Sequence, residues 1–372
     1  MILKPKLLPV VICAALLICL GCGGHDFWTT QNSSSSTNPT GATPKFAYVA
    51  NFNGGGAGSV SAYTVNANSG ALSAVANSPF AAGTGTVAVG ADSAGKFLYA
   101  ANQGGGVSAF TINRTDGSLA GVTGSPFAAG SNPVWVTVDP AGRFVYVANS
   151  GSSDVTGYAV NTSTGALTVL GASTGLASAP VRATVDPSSR FLYVALGTGG
   201  TAVFKINSDG SLTAGTRIVP AAPCTASTDV AVDANTHFAF VADGNTGICN
   251  YAVNASTGDL TLISTSVIAA GSKPVAVASG TNGTFLFAAN QGSDNISGYT
   301  INADGTLTAM SGSPFGAGTG PQAVTVDPSG KFVYAANFSG NTISLYTISS
   351  SSLTTGGTTA TDANPHSVVI TQ

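Results

Sequence analysis

Side chains able to do chemistry are scarce in this chain of 372 residues. Acid–base or metal-dependent work needs carboxylates, imidazoles or thiolates gathered in one place. The supply is 15 acidic residues, every one an aspartate, with three histidines and five cysteines. Three histidines leave no room for a multi-histidine metal site, and no motif for a cofactor occurs. Asp139, Asp186, Asp233 and Asp327 resemble a metal set, but they fall in equivalent turns of an internal repeat and read as turn formers. Gly54-Gly55-Gly56 and Gly104-Gly105-Gly106 invite a phosphate-loop reading, yet no helix and no lysine follow, so they read as turns too. Binding of nucleic acid needs clustered Lys and Arg, and 12 basic residues at a net charge of −3 argue against it.

The elements that must position these few groups follow from composition. Charged residues make up 7% of the chain, against about 25% in an ordinary soluble domain. Helices take their solvent faces from Glu, Lys, Arg and Gln. Here 48 glycines and long runs of Ser, Thr, Ala, Val and Asn point to strands joined by tight turns.

Residues 1–21 read as an export signal. Lys4 and Lys6 precede an uncharged aliphatic stretch from Leu7 to Leu20, too short for a comfortable membrane span. Residues 22–44 carry Gln31-Asn32-Ser33-Ser34-Ser35-Ser36-Thr37-Asn38-Pro39, which cannot bury a core and reads as a flexible tether. With Cys13 and Cys19 in the signal, Cys224 and Cys249 form the pair available to the body. They make one disulfide in an oxidising compartment, or two buried free thiols.

Residues 45–372 are a repeat. Phe46 recurs as Phe97, Phe144, Phe191, Phe238, Phe285 and Phe332, spaced by 47 residues after a first interval of 51. A second aromatic series, Tyr63, Phe110, Tyr158, Phe204, Tyr251, Tyr299 and Tyr346, keeps the same beat. Within the unit 133–170, four strands separated by turns can be read: Pro133–Val138, Arg143–Ala148, Asp154–Val160 and Leu167–Leu170. A four-stranded unit of this size is a propeller blade. The first copy begins at its second strand, and Asn364–Ile370 is an inner strand with no blade after it. The two deficits complete each other. The fold predicted is all-β: a single seven-bladed β-propeller with four-stranded blades, closed by the C-terminal strand pairing into the first blade.

The aromatic-Val-Ala-Asn strand and the Val-Asp-Pro-x-Gly-[Lys/Arg]-Phe turn resemble the lactonase-like seven-bladed propeller family, which includes the propeller type of 6-phosphogluconolactonase and the YVTN-repeat surface proteins. The resemblance covers residues 45–372. It implies a site where the inner strands begin, and lactone hydrolysis there would need a base or activated water with groups to hold the substrate. Family enzymes carry His or Arg just after a proline at that point; the positions here are Val87, Val134, Val181, Thr228, Val275, Gln322 and His366, so only Pro365-His366 matches. One residue further lie Arg182 and Asp229, on neighbouring blades and able to pair at the pore. The family's Asn-Glu loop is absent throughout, leaving Asp229 or Asp243 as substitutes. The Leu20-Gly21-Cys22 end resembles a bacterial lipoprotein signal, which implies lipidation of Cys22, although Cys19 departs from that pattern; ordinary cleavage is the competing reading.

The catalytic set expected from the resemblance is therefore His366, Arg182 and Asp229, weighed against a purely structural role for the same three. Two functions stay open. One is an exported, lipid-anchored propeller acting as a ligand- or partner-binding or envelope scaffold protein. The other is a lactone hydrolase acting outside the cytoplasm. Expected partners are a small molecule, a glycan or an envelope protein, with membrane contact only through Cys22, no cofactor, and a monomeric body.

Overall fold

A segment such as Phe144–Asn149 puts Phe144 and Tyr146 on one face of a strand and Val145 and Val147 on the other. All six of its residues are buried, so this strand is covered on both faces. A covering blade on either side supplies that burial. The computed structural model describes residues 43, 45–216, 224–264 and 266–372. The signal, Cys22 and all of the tether except Thr43 lie outside the described residues.

Seven sheets form, each a meander of four antiparallel strands, and in three of them a further short strand pairs with the third strand. We number the blades by their second strands in chain order: Phe46–Asn51, Phe97–Asn102, Phe144–Asn149, Phe191–Ala195, Phe238–Asp243, Phe285–Asn290 and Phe332–Asn337. The inner strands of blades 2 to 7 are Thr86–Ala91, Pro133–Val138, Arg182–Val185, Ser227–Val232, Pro274–Ser279 and Pro321–Val326. Blade 1 takes its inner strand from the far end of the chain. Pro365–Thr371 pairs antiparallel with Phe46–Asn51, setting Phe46 opposite Thr371 and Val49 opposite Val368. The predicted propeller, its seven blades and its closing strand are all present.

The core is a circle of interfaces between blades. At the closing seam, Phe332 and Tyr334 of blade 7 pack with Ala47, Val49, Val368 and Ile370 of blade 1. Burial of aromatic rings of this size is the main stabilising term in such an interface. The phenol of Tyr334 also donates to the carbonyl of Gly70 at 2.7 Å, as Tyr48 does to Gly117 across the next seam. Both glycines have positive φ, and a Cβ on Gly117 would come within 2.4 Å of the Phe46 ring. Glycine is therefore required twice over, by the hairpin tip and by the ring lying against it.

The aspartates of the inner turns act as the sequence suggested. In blade 7, Asp327 accepts from the backbone N–H groups of Lys331 at 2.8 Å and Phe332 at 2.6 Å. Cys224 and Cys249 are joined as a disulfide, with Cα atoms 6.2 Å apart. It ties the segment entering blade 5 to that blade's third strand, Gly247–Val253.

Candidate functional site: the channel mouth and its plug

The inner strands surround the axis, and a register irregularity sets which side chains reach it. In blade 2 the pairing jumps between Thr86 and Ala88, and in blade 1 between Pro365 and Ser367. The same jump occurs in blades 3, 5, 6 and 7. The residue skipped is the second of the inner strand, and a bulge of this kind re-aims the side chain it carries. His366 and Gln322 stand at bulged positions. Val181, at the equivalent place in blade 4, is 38% exposed.

The third position forms a tier below. Four blades carry small residues there: Ala88, Ala276, Ala323 and Ser367. The other three carry Trp135, Arg182 and Asp229, which fill the space the small ones leave. Arg182 donates through Nη1 to Asp229 Oδ2 at 3.3 Å. Through Nη2 it donates across the axis to the backbone carbonyl of Gln322 at 2.5 Å. Its Cζ lies 4.4 Å from the centroid of the Trp135 ring, a cation–π stack. Asp229 is as fully engaged. Its carboxylate also accepts from the N–H of Val230 at 2.9 Å and of Val277 at 3.0 Å. Burial pulls Arg182 down and Asp229 up, each toward its neutral form, and the attraction between them works against both shifts. The pair is a salt-bridged plug across the channel.

His366 is one residue nearer the mouth and forms no hydrogen bond with either member of the plug. Its ring meets Phe338 edge-on, centroids 5.9 Å apart, and Phe338 lies 6.4 Å from Phe52. Its Nδ1 is buried with no hydrogen-bond partner among the described residues. Burial lowers the imidazole to about 4, helped by the charge of Arg182, so the ring is neutral at pH 7. Beside it Gln291 donates its amide N–H to the side-chain carbonyl of Gln322. The mouth between blades 6, 7 and 1 therefore offers amides, an imidazole and two phenyl rings.

The predicted set thus divides. Arg182 and Asp229 come together, while His366 stands apart from them with one free nitrogen. Asp243, the other substitute carboxylate, is occupied by backbone N–H groups of Thr225, Ala226, Asn245 and Thr246. Trp135, Gln322, Gln291, Phe338 and Phe52 were not singled out from the sequence. Trp135 and Gln322 depart from the commoner Ala and Val of their positions, a signal available in the aligned units, whereas the position of Phe52, Gln291 and Phe338 varies from unit to unit and gives none. Among the described residues, no three His, Cys, Asp or Glu side chains gather as a metal site.

Comparison with known proteins places the fold. Among curated proteins none matches the chain. A proposed 6-phosphogluconolactonase of Bacteroides fragilis superposes with a TM-score of 0.74 at 18% identity, over 90% of this chain and 99% of that one. A second, from Bacteroides uniformis, gives 0.76 at 17% identity over 88% and 100%. The periplasmic gluconolactonase of Pseudomonas aeruginosa gives 0.73 at 17% identity over 89% and 99%. At these identities the likeness is one of fold. The sequence model of the lactonase family, described as a 7-bladed beta-propeller, matches residues 30–123 and 102–372. With most of its length matched, this chain belongs to the lactonase family of seven-bladed β-propellers.

Proposed function

We propose that the chain is an exported, lipid-anchored binding protein that holds an uncharged, ring-shaped ligand, such as a sugar or a lactone, at its channel mouth without hydrolysing it. The observation that carries this reading is the closure of the Arg182–Asp229 pair on itself. Its guanidinium is already bonded to a carboxylate and a carbonyl and stacked on Trp135. Its charge is already matched by Asp229, and its side chain is only 4% exposed, which leaves little of it for a phosphate or carboxylate to meet. What the mouth presents suits a neutral ring: phenyl faces for C–H groups, amides and an imidazole for hydroxyls.

The export signal and the tether support a location outside the cytoplasm, as does likeness to a relative named as periplasmic. Replacing Cys22 by Ser should move the protein from the membrane to the soluble fraction of the producing cell. Equal partition of both forms would overturn the anchor.

A second reading is favoured by the neutral, partly exposed imidazole of His366 and by the family itself. In it, water adds to the lactone carbonyl while the imidazole takes its proton. The ring C–O bond then breaks, and the leaving alkoxide takes that proton back to give the hydroxy acid. One experiment separates the two. Purified protein and its His366→Ala form are given glucono-1,5-lactone, with binding followed by calorimetry and acid release by pH-stat. Binding without added acid release supports the first reading; release that disappears in His366→Ala replaces it with the second.

A further inference from the structure

We infer a second binding site on the opposite face of the propeller: a blind pocket that takes a small uncharged polyhydroxy compound of about the size of one pyranose ring. It does not depend on what the mouth binds. Below the plug the channel widens into a cavity of about 300 Å³, the lower end of the usual range for small-molecule pockets. Its wall runs from the third to the sixth residue of the inner strands and includes neither His366 nor Gln322. Arg182, Asp229 and Trp135 form its ceiling, so entry is from the turn side.

Three features of the wall select the ligand. The first is charge: among the described residues Arg182 and Asp229 are the only charged ones lining the cavity, and they neutralise each other. An anion or cation would find no uncompensated charge there. The second is the collar at the fifth position, where small residues such as Gly90, Ala231 and Ala278 keep the lumen open and Thr137, Thr184 and Thr325 set hydroxyls around it. The third is the backbone. Innermost strands are sheet edges, and alternate peptide groups turn away from their partner strand. Where side chains are near they are already used: the N–H of Val89 donates to Ser367 Oγ at 3.2 Å, and that of Val277 to Asp229. Further up and down the wall such groups face the lumen, where a polyol can exchange hydrogen bonds with them in place of water. Val369, at the collar position of blade 1, gives contact for C–H groups, and the partly exposed indole of Trp135 closes the top.

Trp135 also reports on the site. The chain has two tryptophans, so Trp28→Phe leaves Trp135 as the sole indole emitter. In that full-length protein, D-glucose should change the emission saturably and shield it from acrylamide, and sodium gluconate should do neither. Ala278→Phe fills the collar without reaching the mouth, and should weaken the glucose response by about tenfold or more. Thr137→Val with Thr184→Val keeps the shape, removes two hydroxyls, and should weaken it several-fold; this pair decides the matter if the Phe form does not melt cooperatively. The collar variants should weaken the response equally in a His366→Ala background. The inference is overturned by no saturable response, by an equal response to gluconate, or by a response that follows His366→Ala and ignores the collar variants.

Discussion

Arg182 and Asp229 occupy the same position on neighbouring blades, 47 residues apart in sequence, and meet at 3.3 Å on the propeller axis. In a protein with so few charges, two of them are spent at a buried point on the axis. Taking both from water is costly, and removing one partner leaves the other buried and uncompensated.

Arg182→Met should therefore destabilise the fold by about 3–5 kcal/mol, while Arg182→Met combined with Asp229→Asn should cost less than the sum of the single changes. Urea denaturation of the four proteins measures the coupling. Additive costs would mean that the pair does not interact as its geometry states.

His366 gives stability a definite pH dependence. Its imidazole is held neutral in the fold, down at about 4, while in the unfolded chain it titrates near 6.5. Below pH 6.5 the unfolded state takes up a proton that the folded state refuses, so acid favours unfolding. The difference in stability between wild type and His366→Gln should be constant above about pH 7 and shift against wild type between about pH 6.5 and 4. The full shift is at most about 3 kcal/mol, less because the ring is partly exposed. Thermal melts of both proteins across this range check it, and a difference independent of pH would contradict the burial.

How much of this was legible beforehand differs between fold and site. The aromatic beat at 47 residues and the orphan strand after Asn364 were enough for seven blades and their closure, because each unit repeats one solution to one packing problem. The axis does not repeat. Trp135, Arg182 and Asp229 fit only because Ala88, Ala276, Ala323 and Ser367 stand opposite, and that compensation is visible only when the blades are set in a ring. Likewise, nothing in the spacing of Phe52, Phe338 and His366 tells that they touch. The bulge that turns His366 toward the mouth is a matter of strand pairing, not of residue type.

The disulfide joining Cys224 and Cys249 closes a loop with a sequence separation of 25. Restricting the unfolded chain over that length is worth about 3 kcal/mol. Reduction, or the double change Cys224→Ser with Cys249→Ser, should lower the melting temperature by several degrees without altering the β-sheet spectrum. Cys249 packs among Phe191, Tyr193 and Val241 in the interface of blades 4 and 5, so the loss should show first as faster hydrogen exchange there. Identical melting with and without reductant would sink the prediction.

Removing residues 365–372 tests closure itself. The deletion strips blade 1 of its inner strand and leaves the second strand, Phe46–Asn51, with a bare edge facing the axis. It also takes Val368 and Ile370 from the seam that holds Phe332 and Tyr334, and His366 from the mouth. Burying those two aliphatic side chains alone is worth about 3–6 kcal/mol, comparable to much of the net stability of a folded domain, about 5–15 kcal/mol. An open stack of repeats would tolerate the loss, since a terminal unit contacts only one neighbour. In a ring, the missing strand opens the seam between blades 7 and 1 and exposes an edge that invites aggregation. The shortened chain should lose its single cooperative melt or precipitate, and a peptide of residues 361–372 added in trans should restore part of it. A deletion that melts as sharply as the full chain, at the same temperature, would show that the wheel does not depend on its clasp.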